Sequence, residues 1–274
     1  MKKIITLVLT IALSVNMLCA CGQEKKEEVT TKKATISTKG VKLIKKGTIS
    51  VGSELGYPPF EQVGKDGKTP EGFDIDLINE IASRLGLKVE IINTSFDGIF
   101  AGLDKNYDIV CSAVTVTPDR KKNMLFTEPY IDQYQSVVVK KDSKLKVNSF
   151  KDLTKKTISV QKGTTSDALM TELKSTKTVD VDIVENEKIN NCFTQIKNGE
   201  VDAIVVDSTV ASSFIDREPE NYKIAYVDKK ELEQFAIAVS KKNPKLKEAI
   251  DKAIIEMKKD KTIDDTINYW FGEE

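Results

Sequence analysis

The chain has 274 residues, 40% of them hydrophobic and 31% charged, with 42 basic residues balanced against 42 acidic ones. That is enough apolar material for one large domain or two modest ones, and the even balance argues against nucleic acid as a partner. Histidine is absent, which excludes Ser-His-Asp and Cys-His chemistry within the chain and removes the commonest metal ligand.

Lys2 and Lys3 precede an apolar run from Ile4 to Leu18. A charged start and an apolar run too short for a comfortable membrane span predict a targeting signal over residues 1–20. The run ends in LCAC, which resembles the lipobox of bacterial lipoproteins. That resemblance implies cleavage after Ala20 and lipidation of Cys21; Cys19 fits less well because it follows the bulky Leu18. The alternative is an ordinary secretory signal that contains two cysteines. Diacylglycerol carries two acyl chains, enough for stable anchoring where one is marginal, so the expectation is a body (palmitate-type anchor) held on the extracellular face of a bacterial cell membrane. Such a compartment lacks ATP and favours capture over energy-driven chemistry. The stretch after Cys21, GQEKKEEVTTKKATISTKG, is polar and aperiodic, so residues 21–46 are expected to be the lipidated cysteine and a solvated tether.

From Gly47 strands and helices alternate. GTISVGS predicts a strand; FDIDLINEIASRLG places Ile78, Ile81, Ala82 and Leu85 on one helical face, with Gly86 as its stop. LKVEIIN is a strand, a short helix spans Gly98 to Leu103, and YDIVCSA is a strand. The rhythm restarts with TISVQKG, TTSDALMTELK, VDVDIV, NEKINNCFTQIKNG and VDAIVVD. This βαβ order predicts an α/β fold with mostly parallel sheets flanked by helices. YIDQYQSVVVKK and YVDKKELEQFAIAVSKK read as two extended crossings, followed by helices in NPKLKEAIDKAIIEMKKD and KTIDDTINYWFG. The expected division is 47–134 plus 230–274 for lobe one and 135–229 for lobe two, with a cleft between them. Cys111 and Cys192 could form a disulfide, but their apolar strand and helix contexts favour two buried free thiols.

Only three residues are arginine: Arg84, Arg120 and Arg217. Arg120 follows SAVTVTPD, a run of small and β-prone residues, and is either a solvated strand end or a planar fork for a carboxylate. SVGSELGYPPFE, GFDIDLINEIASRLG, AGLDKNYDIVCSAVTVTPDRKKNMLFTEPY, VQKGTTSD and GEVDAIVVD, in this order, resemble the polar-amino-acid solute-binding proteins of ABC transporters, bacterial extracellular family 3. The resemblance runs from about Gly47 onward and implies a two-lobed periplasmic-binding-protein-like fold of type II.

The resemblance also implies roles. Arg120 grips the ligand α-carboxylate, and Thr115 hydrogen-bonds the ligand as well as serving as a strand residue. Ser112 and Ala113 line the site through their backbone. Gly163, Thr164 and Thr165 meet the same carboxylate at a helix N-terminus, where Thr164 and Asp167 also stand in capping-box spacing. Asp207 takes the α-ammonium, or else caps the helix that follows it. Tyr57 and Phe96 sandwich the ligand side chain. Glu54 reads that side chain's charge, and Gln161 adds a polar contact. An acidic residue at that end favours arginine, lysine or ornithine, with cystine next. The expected function is the substrate-binding component of an amino-acid ABC importer, a monomer working with permease subunits, with no cofactor, no metal and no catalysis. The alternatives are a cyclohexadienyl dehydratase-like enzyme and a sensing module of the same fold; NYWFGEE at the end of the chain, without a membrane helix or kinase, weighs against the sensor.

Overall fold

Residues 35–272 are described by a computed structural model. The expected signal over 1–20, Cys21 and the tether as far as residue 34 lie outside the described residues.

Strand β1 (Thr48–Ser53) is buried at every position, as an inner strand covered on both faces should be. The hairpin of β2 (Gln62–Val63) and β3 (Pro70–Glu71) leads to α1 (Phe73–Leu85). Gly72 precedes that helix at φ 136°, and a Cβ there would lie 2.1 Å from the Phe60 carbonyl oxygen, so the close approach requires glycine. Phe73, Leu77, Ile78, Ile81 and Leu85 bury one face of α1, and Gly86 ends it in the left-handed region at φ 66°. Then come β4 (Lys88–Asn93), a 3-10 turn over Ile99–Gly102, β5 (Ile109–Val110), α2 (Pro118–Asn123) and β6 (Met124–Phe126).

The chain crosses through β7 (Ile131–Gln133) into β8 (Gln135–Lys140), β9 (Thr157–Gln161), α3 (Thr165–Ser175), β10 (Asp182–Asn186), α4 (Ile189–Asn198), β11 (Ala203–Asp207), α5 (Ser208–Arg217) and β12 (Tyr222–Val227). It returns through β13 (Glu233–Phe235) to β14 (Ala238–Ser240), α6 (Pro244–Lys259) and α7 (Thr262–Phe271).

Two five-stranded sheets result, in the orders β4-β1-β5-β14-β6 and β10-β9-β11-β8-β12. In each, the strand in fourth place is antiparallel to both neighbours, and the other four share one direction. This is the expected two-lobed α/β architecture. The crossings β7 and β13 pair with each other as an antiparallel ribbon, with Glu233 opposite Gln133. The C-terminal ends of the parallel strands β1, β5, β9 and β11 all open toward the gap between the sheets, where open α/β sheets bind ligands.

Two features differ from expectation. The segment expected as the end of a solvated tether is docked on lobe one. Ile36 is only 7% exposed, Val41 and Leu43 pack against the core, and the Thr35 and Ile36 amides both donate to the Arg84 carbonyl. The Ile44 amide donates to Asp108 and the Lys42 carbonyl accepts from Asn243. Three apolar side chains spaced among lysines are enough to hold the segment down, although no regular period announces them. The strand expected over VDVDIV begins later, at Asp182, while Val179 and Val181 bury themselves in the lobe-two core. Cys111 and Cys192 are both buried and free.

Candidate functional site

Glu54 follows β1 directly and is 4% exposed. Its carboxylate accepts from Gln161 Nε2 at 2.6 Å, across the gap between the lobes, and its amide donates to Ser112 Oγ at 3.1 Å. Burial raises the Glu54 pKa to about 7, against the opposing pull of the Gln161 hydrogen bond and the Lys188 charge. Gln161 ends β9; its Nε2 also reaches the Glu187 carbonyl, while its Oε1, buried, has no protein donor.

Ser112 and Ala113 form the turn after β5. Ala113 holds a φ of 46°, a left-handed conformation that needs support in a residue with a Cβ. Support comes from two buried acids: the Ala113 amide donates to Asp74 Oδ2 at 2.8 Å, and Ser112 Oγ donates to Glu61 Oε1 at 2.7 Å. Tyr130 also donates to Asp74 Oδ2. Burial pushes Asp74 up to about 6, and burial with the Asp74 charge pushes Glu61 well above the carboxylate range. Glu61 Oε2 and Asp74 Oδ1 have no hydrogen-bond donor in the protein.

Arg120 sits in α2, a helix begun by Thr117, whose hydroxyl caps the Arg120 amide, and by Pro118 at its first turn. The guanidinium donates to the Thr115 carbonyl at 2.8 Å and to the Gly163 carbonyl of lobe two at 3.2 Å. Its carbon lies 5.6 Å from the Phe96 ring centre and 5.1 Å from that of Phe100, within cation–π range. Burial lowers its pKa, while the charges of Asp207 and Glu233 oppose the shift.

Lobe two brings the start of α3. Thr164 Oγ1 accepts from the Asp167 amide and donates to the Gln161 carbonyl, and Asp167 reaches back to the Gly163 amide. The Thr164 side chain is thus engaged in the cap, leaving its backbone for the pocket. Thr165 Oγ1 faces inward, 3.1 Å from both Gln135 Nε2 and Glu233 Oε2.

Asp207 ends β11 and is 5% exposed. It accepts from the Tyr57 hydroxyl of lobe one at 2.6 Å and from Gln133 and Gln135 at 2.8 and 2.7 Å. Burial, then the Glu233 charge, raises Asp207 to about 7. The expected alternative, that Asp207 caps α5 with its side chain, does not occur.

One pocket between the lobes is lined by Tyr57, Phe96, Ser112, Ala113, Thr115, Arg120, Gln161, Thr164, Thr165 and Asp207, with Glu54 bonded to Gln161 at its edge. The structure therefore brings the eleven expected residues together. It adds three that sequence reasoning missed: Gln133, Gln135 and Glu233, all on or beside the crossings. The signal for the first two was present in YIDQYQ, where positions two apart on a strand share a face. At the rim, Lys162 pairs with Asp97 at 2.8 Å and Arg217 donates to Gln62 at 2.9 Å, each joining the lobes. Among the described residues no group of acids and cysteines is placed to hold a metal, and no helix is long and apolar enough to cross a membrane.

Residues 49–273 match the family model of the bacterial extracellular solute-binding proteins, family 3. The L-cystine-binding protein TcyJ of Escherichia coli (strain K12) is 30% identical over 234 residues, 85% of this chain and 86% of its own length. Among solved structures, an ancestral arginine-binding protein bound to arginine superposes with a TM-score of 0.77 at 38% identity, covering 82% of this chain and 99% of its own. An ancestral amino acid-binding protein described as a precursor of cyclohexadienyl dehydratase superposes at 0.75 with 35% identity, covering 82% and 96%.

Proposed function

The chain belongs to the bacterial extracellular solute-binding proteins of family 3, and from that premise we propose that it is the substrate-binding component of an amino-acid ABC importer, capturing a cationic amino acid by closure of its two lobes. The observation that carries this reading is the placement of Arg120 from lobe one and Asp207 from lobe two around a single pocket. An α-amino acid offers a carboxylate to the first and an ammonium to the second, so a bound zwitterion links the lobes and favours the closed state. Arg120 supplies the planar fork; the backbone amides that open α3 add positive potential from the other side.

Those groups are common to all amino acids. Selection falls to the other end, where Glu54 and the unpartnered Gln161 Oε1 offer acceptors, and Tyr57 and Phe96 offer ring faces. A guanidinium or terminal ammonium answers both needs, which favours arginine, lysine or ornithine; the second ammonium of cystine answers them next best. A cation must find Glu54 ionised, so affinity for L-arginine is expected to fall as pH drops below about 7.

The test is calorimetry on protein freed of carried-over ligand. Saturable binding of L-arginine, with L-lysine, L-ornithine or L-cystine weaker, is the expected result. Tight binding of L-glutamate with all four cationic or cystine ligands silent overturns the side-chain assignment; silence toward every amino acid overturns the function. Consumption of prephenate or arogenate would favour the dehydratase alternative.

The same reading gives Cys21 a lipid anchor on the outer face of the cell membrane, with the folded body, as a monomer, delivering its amino acid to permease subunits. Cys21→Ser should release the protein from the membrane fraction, and continued fatty-acid labelling of that variant would count against the anchor.

A further inference from the structure

Glu233 lies in none of the motifs that pointed to the site, yet its Oε2 is within hydrogen-bonding distance of four donors. Gln133 Nε2 is at 2.8 Å, and Gln135 Nε2, Thr115 Oγ1 and Thr165 Oγ1 are each at 3.1 Å. They come from the crossing strand β7, from lobe two and from lobe one. An ionised carboxylate only accepts, whereas a threonine hydroxyl has one proton and two lone pairs. The two hydroxyls lie 3.5 Å from each other, farther than the 3.1 Å each makes to Glu233. The carboxylate is thus the nearer acceptor for both protons, and with both drawn to it Thr115 and Thr165 have only lone pairs to offer anything else in the pocket. The amides are fixed as well. Gln135 Oε1 accepts from Ser166 Oγ at 2.6 Å and Gln133 Oε1 accepts from the Ser208 amide at 3.2 Å, so both NH₂ groups face Glu233 and Asp207.

We propose that Glu233 is a positioning residue for ligand recognition: it orients the hydroxyls of Thr115 and Thr165, and the amides that hold Asp207, so that the amine end of the pocket presents acceptors and selects ligands with a free ammonium. This rests on reading the pocket as an amino-acid site. It adds a residue from the β7–β13 ribbon, where the chain crosses between the lobes.

The electrostatics agree with the geometry. Asp207 is faced by Tyr57 and Arg120 from lobe one, by Gln135 from its own lobe and by Glu233 from the ribbon. After burial, the Glu233 charge is the largest cause of the rise of Asp207 to about 7. With the lobes closed as in this structure, burial and the Glu233 charge favour a proton on Asp207, which an incoming ammonium would expel.

The test is calorimetry with L-arginine at pH 7 on the full chain, in two buffers of different ionisation enthalpy, for the wild type, Glu233→Gln and Glu233→Asp. Glu233→Gln should weaken binding by about ten- to a hundredfold, the loss of one charged hydrogen-bond acceptor. It should also release fewer protons per ligand and narrow the preference for L-arginine over Nα-acetyl-L-arginine. Glu233→Asp, which keeps the charge, should recover part of each. Wild-type affinity and proton release in Glu233→Gln overturn the inference and leave the pocket's function standing. Weakened binding with unchanged proton release and unchanged discrimination marks a merely structural role and overturns it as well. If the wild type itself ignores every amino acid, it is the function that fails, and Glu233 falls with it.

Discussion

The two lobes share one sheet design but meet the pocket in opposite conditions. Lobe two arrives with its polar groups largely engaged: Thr164 and Asp167 cap their own helix, and Asp207 accepts from Gln135 of its own lobe as well as from Gln133 of the crossing and Tyr57 of lobe one, while Gln161 Oε1 is left without a donor. Lobe one arrives loaded. Behind its binding turn it buries Glu54, Glu61 and Asp74, and two of the carboxylate oxygens, Glu61 Oε2 and Asp74 Oδ1, have no donor. Burying carboxylates this way is costly unless they hold protons or meet cations. On the proposed reading, lobe one serves as the charged template on which a ligand is read, and lobe two as the cover that completes it.

The sharpest way to break this contrast is to remove one pole from each lobe. Arg120→Ala and Asp207→Ala should each weaken amino-acid binding by about 2–5 kcal/mol, because each leaves a charge uncompensated in a closed pocket. Calorimetry measures the loss. Each variant also loses a hydrogen bond between the lobes, Tyr57 to Asp207 at 2.6 Å or Arg120 to the Gly163 carbonyl at 3.2 Å. Because the first is the shorter and the buried one, small-angle scattering of the ligand-free protein should show a more open particle for Asp207→Ala than for Arg120→Ala. Equal profiles would erase the distinction.

A smaller effect is expected at Glu54. Glu54→Gln should lower L-arginine affinity by about ten- to a hundredfold, the worth of one charged hydrogen bond, and leave neutral amino acids little changed. A uniform loss across all ligands would mean that Glu54 shapes the turn rather than reads charge.

The buried acids of both lobes also set a pH dependence. Asp74 is raised to about 6, and Glu54 and Asp207 to about 7, from ordinary values of 3.8, 4.5 and 3.8. Between about pH 4 and pH 7 the folded protein thus binds more protons than the unfolded chain. Stability of the ligand-free protein should be greatest on the acid side of this window and fall as pH rises through it. Thermal unfolding across that range tests the sign, and Asp74→Asn should flatten the fall. The smallest effect belongs to the rim. Lys162 and Asp97 are each about half exposed, so Lys162→Ala should change ligand affinity by less than about 1 kcal/mol; a larger loss would make the rim pair part of the closing mechanism.

What was legible in the sequence follows from where each signal is stored. Thr115, Arg120 in the short helix α2 and the Gly163–Thr165 start of α3 all follow closely on strand ends, and local motifs carry such segments into the pocket intact. The α1 pattern with Gly86 was equally local. Glu233 was not legible, because its partner Gln133 is 100 residues away and the two meet only through the register of β7 and β13. Glu61 and Asp74 were visible as motif letters, but nothing local says that an acid will be buried. The docking of residues 35–44 escaped for a similar reason: Ile36, Val41 and Leu43 pack on a core assembled from distant elements, and an aperiodic segment gives no advance sign of such surfaces.

The fourth strand of each sheet has a consequence for the order in which the chain can fold as it is made. The sheet of lobe two is drawn from one uninterrupted stretch, Gln135 to Val227. That of lobe one is interrupted: β14 belongs between β5 and β6, yet it is synthesised only after the whole of lobe two. A nascent chain therefore reverses the usual N-terminal-first sequence. The second lobe can be finished while β5 and β6 still wait, unpaired on their facing edges, for a strand that starts at Ala238.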